Sequence, residues 1–334
     1  MTRPNEFKAL VITESEDHHF LRTVEKKTIA DLPEGDVLVK VMYSSLNYKD
    51  ALSASGNRGV TRTYPHTPGI DAAGIVAESA DNAFKPGDEV IVTSYDLGMN
   101  TAGGFGQYIR VPAGWVVPLP QGLTLREAMI YGTAGFTAAL SVHQLIESGI
   151  RPEDGDILVS GATGGVGSMA VSILSRSGYS VTAVNGQIDA TDYLKKIGAQ
   201  AVISIEAATD TSGRPMLKSL WAGAVDAVGG DILATTIKSM KNGGTVTCCG
   251  NVASPDLPLN VYPFILRGVT LSGIDSQNCA MPLRRKVWEK IASDWKIDGL
   301  ETLTTEVPFE ALDQRIELML QRKHRGRTII RMAD

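Results

Sequence analysis

The first third of the chain carries short apolar or alternating runs separated by Gly, Pro and Asp, a pattern typical of a strand-rich domain. The predicted strands are residues 7–13, 36–44, 72–78, 89–94 and 108–111. Turns are predicted at 33–36 and 85–88, where proline presets one backbone dihedral and glycine supplies positive φ. Residues 7–122 are therefore expected to form a barrel-like β domain.

From about residue 124 the pattern changes to alternating helices and strands. A helical stretch covers 125–147, with an expected break at 132–135. After it, strands are predicted at 157–159, 180–184, 201–205, 225–228, 245–249 and 269–274, and helices at 166–174, 191–197, 215–221 and 232–240. Such alternation predicts a parallel sheet with helices on both faces, which is a doubly wound fold.

The C-terminal segment predicts helices at 283–295 and 309–320 and a strand at 328–332, with a short strand between the helices. These elements make too small a core to stand alone, so the segment is expected to return to the β domain. The predicted architecture is α/β: a doubly wound domain of residues 123–279 inserted into a β-rich domain of residues 1–122 and 280–334.

A glycine-rich turn follows the first strand of the doubly wound domain and precedes a helix. Gly161, Gly164 and Gly167 are spaced G-x-x-G-x-x-G, which differs from the common dinucleotide fingerprint G-x-G-x-x-G. A helix N-terminus offers free N–H groups and a positive dipole end, and glycine lets the backbone approach a phosphate closely. The turn predicts a dinucleotide site, although a flexible loop is the alternative interpretation.

Ligands of doubly wound sheets bind at the carboxyl ends of the strands, which makes the residues after each strand candidates. These are residues 185–187, 226–229, 250–251 and 275–276. The second strand ends in Asn185, Gly186 and Gln187, with no carboxylate to bind a ribose 2′-hydroxyl. This end of the sheet therefore favours NADP over NAD.

Composition and charge exclude several other classes of protein. The chain has 334 residues, 43% of them hydrophobic and 21% charged, with a formal net charge of −5, so nucleic acid is not an expected partner. Its cysteines, Cys248, Cys249 and Cys279, suit neither a disulfide framework nor a structural zinc site. Neither a signal peptide nor a transmembrane run is recognisable. We expect a cytoplasmic protein with no membrane partner.

Six segments in order resemble the zinc-independent medium-chain dehydrogenase/reductase superfamily, and in particular its acryloyl-CoA reductase branch of YhdH/YhfP-type quinone oxidoreductases. They are residues 45–50 (SLNYKD), 68–71 (PGID), 161–167 (GATGGVG), 193–199 (YLKKIGA), 263–269 (PFILRGV) and 273–276 (GIDS). The resemblance implies a Rossmann domain inserted into a GroES-like catalytic domain, NADPH as cofactor, and an activated alkene as small-molecule substrate. It also implies a homodimer formed through the Rossmann edge strand at 269–274.

The resemblance and the strand-end positions together indicate the cofactor-binding residues. These are Thr133, Gly164, Gly165, Val166, Asn185, Gly186, Gln187, Gly250, Asn251, Ser276 and Arg327. The relatives often carry Ser-Gly-Arg where this chain has Asn185-Gly186-Gln187, so an arginine partner for the 2′-phosphate is absent. Lys195 or Lys196 would compensate, unless both are solvated surface charges.

Zinc-dependent relatives carry an early cysteine and a Gly-His-Glu triplet where this chain has Gly69, Ile70 and Asp71, so no metal site is expected. Without a Lewis acid, reduction of a conjugated double bond is favoured over alcohol oxidation. Hydride would pass to the β-carbon of an enoyl thioester, and the enolate would then need a hydrogen-bond donor and a proton.

The catalytic candidates are Asn47, Tyr48 and Asp50, in the loop after the strand that ends near residue 44. The phenol of Tyr48 would donate a proton or hydrogen bond, with Lys49 biasing its pKa and Asp50 orienting the loop. In the alternative interpretation Tyr48 only packs, Asp50 caps a helix, and water or a cofactor hydroxyl supplies the proton.

Coenzyme A carries three phosphates, so exposed cations are expected at its site. The candidates are Arg58, Arg62, Arg284 and Arg285, each of which has the alternative of a solvated surface charge. Two other functions remain open: a general NADPH quinone or enone oxidoreductase, and a weakly catalytic NADPH-binding protein that acts as a redox-responsive partner.

Overall fold

A computed structural model describes residues 6–186 and 190–332. Its contacts divide the chain into two compact units. The first unit comprises the chain up to Thr133, Gln277–Ala292 and the residues from Thr304 onward, and the second comprises Ala134–Ser276 and Ser293–Leu303. Among the described residues, no helix combines the length and the apolar character that crossing a bilayer requires.

The strands are β1 (Phe7–Glu14), β2 (Phe20–Lys27), β3 (Val37–Leu46), β4 (Asp71–Ser79), β5 (Glu89–Thr93), β6 (Tyr108–Val111), β7 (Val116–Pro118), β8 (Ile157–Val159), β9 (Val181–Asn185), β10 (Ala201–Ser204), β11 (Trp221–Asp226), β12 (Met240–Cys248), β13 (Thr270–Gly273), β14 (Thr304–Pro308) and β15 (Arg327–Arg331). The α-helices are α1 (Tyr48–Ala54), α2 (Leu125–Glu147), α3 (Gly165–Arg176), α4 (Thr191–Lys196), α5 (Gly230–Lys238), α6 (Tyr262–Arg267), α7 (Met281–Ala292) and α8 (Leu312–Leu320).

The first unit is built on a mixed sheet in the order β14-β15-β3-β4-β5-β7, with β6 also paired to β3. Strand β3 is its centre, because it pairs antiparallel with β4, β6 and β15. Its side chains Val37, Val39 and Val41 are buried in the main core of this unit. The C-terminal elements α7, β14, α8 and β15 group with this unit.

The second unit holds a six-stranded sheet in the order β10-β9-β8-β11-β12-β13, and every neighbouring pair is parallel. Counted along the chain, this is the order 3-2-1-4-5-6 of a dinucleotide-binding doubly wound fold. The chain order reverses between β8 and β11, which is where ligands of such sheets bind. The predicted fold class is confirmed.

The helix predicted at 215–221 is wrong, because this segment is not helical and Trp221 begins β11. The backbone N–H groups of Leu217 and Leu220 instead donate to the carbonyls of Lys238 and Ser239, at the end of α5. Strand β2 and helix α6 were not predicted. Much of β2 is exposed and its sequence is largely polar. The alternation of hydrophobic and polar residues that predicts a strand is therefore weak there.

The kink expected inside the long helix α2 is present, since Gly132 there has the non-helical angles φ 50° and ψ −156°. The boundary between the units falls beside this kink, after Thr133, whereas the predicted boundary was at 122/123. Ser293–Leu303 also groups with the second unit rather than with the β domain. One reason is that Arg176 on α3 donates to Asp298 and to the Asp294 carbonyl.

Candidate active site

The glycine-rich turn brings the N-terminus of α3 close to the end of β8. Gly164 precedes the helix, and Gly165 and Val166 are its first residues, so their N–H groups lack helical partners. A Cβ placed on Gly167 would lie only 2.2 Å from the Gly161 carbonyl oxygen. Only glycine permits this approach, and it leaves a helix N-terminus suited to a pyrophosphate.

The other predicted cofactor positions of the second unit lie at carboxyl ends of its strands. Asn185 ends β9, and Gly186 follows it in an exposed position, while Gln187 lies outside the described residues. Gly250 and the exposed Asn251 follow β12, and Ser276 Oγ accepts a 2.8 Å hydrogen bond from Thr137. Because β8, β9, β11 and β12 are parallel and adjacent, these ends share one edge of the sheet.

A second group of polar side chains surrounds Asp71, the first and fully buried residue of β4 in the first unit. Its Oδ2 accepts hydrogen bonds from Ser45 Oγ at 2.6 Å and from Asn47 Nδ2 at 2.7 Å. Its Oδ1 accepts from Thr133 Oγ1 at 2.6 Å, and the Thr133 N–H also points at the carboxylate. Asp71 therefore connects three segments that are distant in sequence. We call Ser45, Asn47, Asp71, Thr133 and Arg327 the Asp71 cluster.

Arg327, the first residue of β15, supplies the positive charge of this cluster and is only 1% exposed. Its Nη2 lies 3.8 Å from Asp71 Oδ2 and donates to Ser45 Oγ at 2.8 Å. Nη1 donates to Asn47 Oδ1 at 3.2 Å, and Nε donates to the Ile130 carbonyl at 2.9 Å. Burial lowers the pKa of Arg327, and the nearby Asp71 carboxylate opposes that shift.

The expectation that Arg327 binds the cofactor needs correction, because its guanidinium is buried and donates to protein oxygens. Thr133 likewise directs both its N–H and its hydroxyl to Asp71. Asn47 directs its amide to Asp71 and Arg327, so its described contacts hold the loop in place. In this structure the side chains of these three residues hold segments of the first unit together.

Asp50 is also buried, and it acts as a cap rather than as an accessible acid. Its Oδ2 accepts the Asn47 N–H at 2.7 Å, at the start of α1, and its Oδ1 accepts the Ile70 N–H at 2.8 Å. Burial, followed by the charge of Asp71, raises the pKa of Asp50 to about 7. These contacts agree with the capping alternative and with the predicted role of Asp50 in orienting the loop, while a direct part in catalysis stays a prediction.

Tyr48 differs from its neighbours because its side chain is 43% exposed. It is the first residue of α1, directly after Asn47. The ammonium of the next residue, Lys49, donates to Gln277 Oε1 at 2.6 Å, and its influence on Tyr48 stays a prediction. The Asp71 cluster and the Asp50 cap thus fix the backbone on both sides of an exposed phenol.

The four arginines predicted to bind substrate phosphates have different environments. The prediction is wrong for Arg284, which is fully buried, donates to Thr93 and stacks 4.3 Å from the Tyr95 ring centroid. Arg58 is partly exposed but pairs with Glu14 and donates to the Arg62 carbonyl. Arg62 and Arg285 are exposed, and their role remains a prediction.

The central residue that sequence reasoning missed is Asp71. It lay in the recognised segment 68–71, but its role depends on partners at 45, 47, 133 and 327. A signal was present: a carboxylate at the start of an otherwise apolar strand must be paired if it is buried. Over residues 6–186 and 190–332, no three His, Cys, Asp or Glu side chains converge as metal ligands would.

Family models match both parts of the chain. The model described as alcohol dehydrogenase GroES-like domain matches residues 33–121, and the model described as zinc-binding dehydrogenase matches residues 165–295. The chain is similar to an acrylyl-CoA reductase, AcuI of Ruegeria pomeroyi, with 42% identity covering 97% of this chain and 98% of the relative.

Bacillus subtilis YhfP, named for quinone oxidoreductase activity, is 50% identical over 93% of this chain and 95% of its own. Its crystal structure with NAD bound superposes with a TM-score of 0.96. The yhdH oxidoreductase of Salmonella enterica, solved in complex with NADP, gives a TM-score of 0.95 at 40% identity, covering 98% of this chain and all of the other.

Proposed function

Because the chain belongs to the acryloyl-CoA reductase branch of the medium-chain dehydrogenase/reductase superfamily, we propose that it reduces the conjugated C=C bond of acryloyl-CoA or a similar short 2-enoyl-CoA. The product is the saturated thioester. The chain is an oxidoreductase whose cofactor is NADPH, in line with NADP in the similar Salmonella enterica structure. NADPH supplies the hydride for the reduction.

Several features of the second unit support the binding of NADPH there. The turn at Gly161 to Gly167 and the N-terminus of α3 offer backbone N–H groups to the pyrophosphate. A Cβ on Gly250 would lie 2.2 Å from the Ala227 carbonyl oxygen, so the loops after β11 and β12 are in close contact beside this turn. Asn185 and Gly186 bring no carboxylate that would repel a 2′-phosphate.

The observation that carries the proposed chemistry is the exposed Tyr48 on a fixed loop. Asn47 before it is held by Asp71 and Arg327, and Asp50 after it caps the helix. We propose that the phenol hydroxyl donates a hydrogen bond or a proton to the enolate, because the contacts on both sides of Tyr48 reduce the cost of ordering this segment. Exposed Arg62 and Arg285 are the remaining candidates for the phosphates of coenzyme A.

Steady-state NADPH oxidation tests the substrate. We expect turnover with acryloyl-CoA well above that with 1,4-benzoquinone or free acrylate. A preference for the quinone would favour a general quinone or enone oxidoreductase, the alternative suggested by the name of YhfP. Absence of turnover with any alkene, together with NADPH binding, would indicate a binding protein.

The role of Tyr48 is tested by Tyr48→Phe, which removes the hydroxyl and keeps the ring. We expect kcat to fall by about 10²-fold, the usual contribution of a positioned acid, while the melting temperature stays near that of the parent. Tyr43→Phe, at a partly buried tyrosine of β3, is the matched control. A parent-like kcat in Tyr48→Phe would rule out Tyr48 as the proton donor.

We also propose a homodimer formed through β13. This strand is the last of its sheet among the described residues, so one side of its backbone is open to pairing. Helix α6 precedes it and exposes Ile265 and Leu266, whose relative exposures are 68% and 63%. An open strand edge beside an apolar helix face is typical of an isologous interface.

Sedimentation equilibrium measures this association. Ile265→Glu combined with Leu266→Glu is expected to give a monomer, because the charges would be buried in the interface. Leu21→Glu combined with Val24→Glu alters two exposed apolar residues of β2 in the first unit and should leave the dimer intact. A monomeric parent protein would contradict the proposal.

A further inference from the structure

The end of β11 holds a buried carboxylate that the proposed reaction does not use. Asp226 is the last residue of this strand and is 1% exposed. Its Oδ1 accepts a 2.6 Å hydrogen bond from Ser160 Oγ, and its Oδ2 accepts the N–H groups of Gly229 at 2.8 Å and Val228 at 3.3 Å. In the described part of the chain no Lys, Arg or His forms an ion pair with Asp226, so neutral donors alone hold it.

The bond to Ser160 joins the loop after β11 to the glycine-rich turn after β8. Ser160 directly precedes Gly161 of that turn, and its N–H donates to the Val225 carbonyl at 3.0 Å. Its Oγ also accepts the Ala227 N–H at 3.1 Å. Ser160 is therefore attached at three points to the last two residues of β11 and to the residue that follows the strand.

The loop after β12 is attached to the same place. The Asp226 carbonyl accepts the Cys249 N–H at 3.0 Å, and the Val228 carbonyl accepts the Ala253 N–H at 2.8 Å. The loops after β8, β11 and β12 thus meet around Asp226, at the carboxyl ends of three adjacent parallel strands. This is the edge where a doubly wound sheet binds its dinucleotide.

We propose that Asp226 is a positioning residue for NADPH. Its carboxylate holds Ser160 and the glycine-rich turn in place, so that the N-terminus of α3 is presented to the pyrophosphate. The inference rests on NADPH as cofactor and not on the identity of the alkene. Without the carboxylate, the Ser160 hydroxyl and the N–H groups of Val228 and Gly229 lose their acceptor. The loops then sample other conformations, and NADPH must order them on binding.

The test measures NADPH affinity directly, by equilibrium fluorescence titration without substrate. Ser160→Ala and Asp226→Asn are each expected to raise the Kd for NADPH by about tenfold, the effect of one lost hydrogen bond. The Kd of the double variant should rise by less than the product of the two single effects, because both changes affect the hydrogen bond between Ser160 and Asp226. At saturating NADPH, kcat should stay within about twofold of the parent, which separates positioning from a role in the chemistry.

Thr247→Val is the matched control. It removes another buried hydroxyl of the same sheet, one that donates to the Ala224 carbonyl at 3.2 Å and not to these loops. It should lower the melting temperature without changing the Kd for NADPH. A parent-like Kd in Ser160→Ala, or an equal loss of affinity in Thr247→Val, would overturn the proposal. Ser160→Ala alone decides the matter if Asp226→Asn fails to fold, and a wrong alkene substrate leaves the titration unaffected.

Discussion

Each unit of the molecule buries an aspartate at the end of a strand, and the two are stabilised differently. Asp71 of the first unit faces a cation, Arg327, and hydroxyl and amide donors from distant segments. Within residues 6–186 and 190–332, Asp226 of the second unit accepts only from neutral donors, two of them N–H groups from its own loop. One carboxylate belongs to an ion pair, and the other organises a turn.

The difference teaches what each arrangement tolerates. A buried ion pair gains little over apolar packing, but removing one partner leaves an unpaired charge in a medium that solvates it poorly. When a carboxylate is held by neutral donors, removing one donor costs a single hydrogen bond and leaves the other donors in place. We therefore expect changes around Asp71 to cost stability, and changes around Asp226 to alter mainly the order of the loops.

The largest expected effect is that of Arg327→Leu. This change leaves Asp71 and Asp50 buried without their cation, so the free energy of unfolding should fall by about 3–5 kcal/mol. Denaturant unfolding measures the loss. Arg331→Leu, at the exposed last residue of the same strand, should change stability by less than about 0.5 kcal/mol. Equal losses in the two variants would break the comparison.

The next effect is a pH dependence that belongs to the first unit. Asp50 has a pKa of about 7 in the folded chain, against an ordinary value of 3.8. Between pH 3.8 and about 7 the folded state therefore holds a proton on Asp50 that the unfolded state has released. The stability that this proton contributes is present at low pH and is lost as the pH rises through about 7.

In Asp50→Asn the titrating group is absent. Between pH 5 and pH 8 the unfolding free energy of the parent should fall relative to that of Asp50→Asn, by on the order of 1–3 kcal/mol. Urea unfolding at several pH values measures the difference. A gap between the two proteins that does not change with pH would show that Asp50 does not titrate in this way.

The smallest stability effect is expected in the second unit. Ser160→Ala removes one hydrogen bond to Asp226, whose other donors remain, and also removes the acceptor of the Ala227 N–H, so we expect a loss of about 1–2 kcal/mol. Thermal unfolding compares it with Arg327→Leu. If Ser160→Ala destabilised the chain as much as Arg327→Leu does, the loss of a neutral donor to Asp226 would cost as much as the loss of the cation beside Asp71, and the proposed difference between the two aspartates would be wrong.

Much of the fold could be predicted because its signals are local. The runs predicted as strands at 157–159 and 180–184 and the helical pattern between them are short-range patterns, and they predicted the doubly wound sheet. The segment 215–221 shows the limit of such reasoning. Its residues suit a helix, but two of its N–H groups find acceptors at the end of α5, a choice that tertiary contacts make.

The same limit applies to the candidate site. The strand-end positions Gly164, Asn185 and Gly250 follow from the alternation of strands and helices, so they could be named from the sequence. The burial of Arg284 and Arg327 could not, because an arginine looks the same in sequence whether it faces water or a carbonyl.

The sequence already specifies the alternating strands and helices of the second unit, the glycine-rich turn and the recognisable segment that contains Tyr48. These depend on residues close together along the chain, where periodicity and backbone preferences act. Which polar groups are buried together, such as Asp71 with Arg327 and Asp226 with Ser160, depends on the three-dimensional packing of segments that are far apart in sequence. The reason is physical: the low dielectric of the interior makes pairing compulsory, and the partner can come from any distance along the chain.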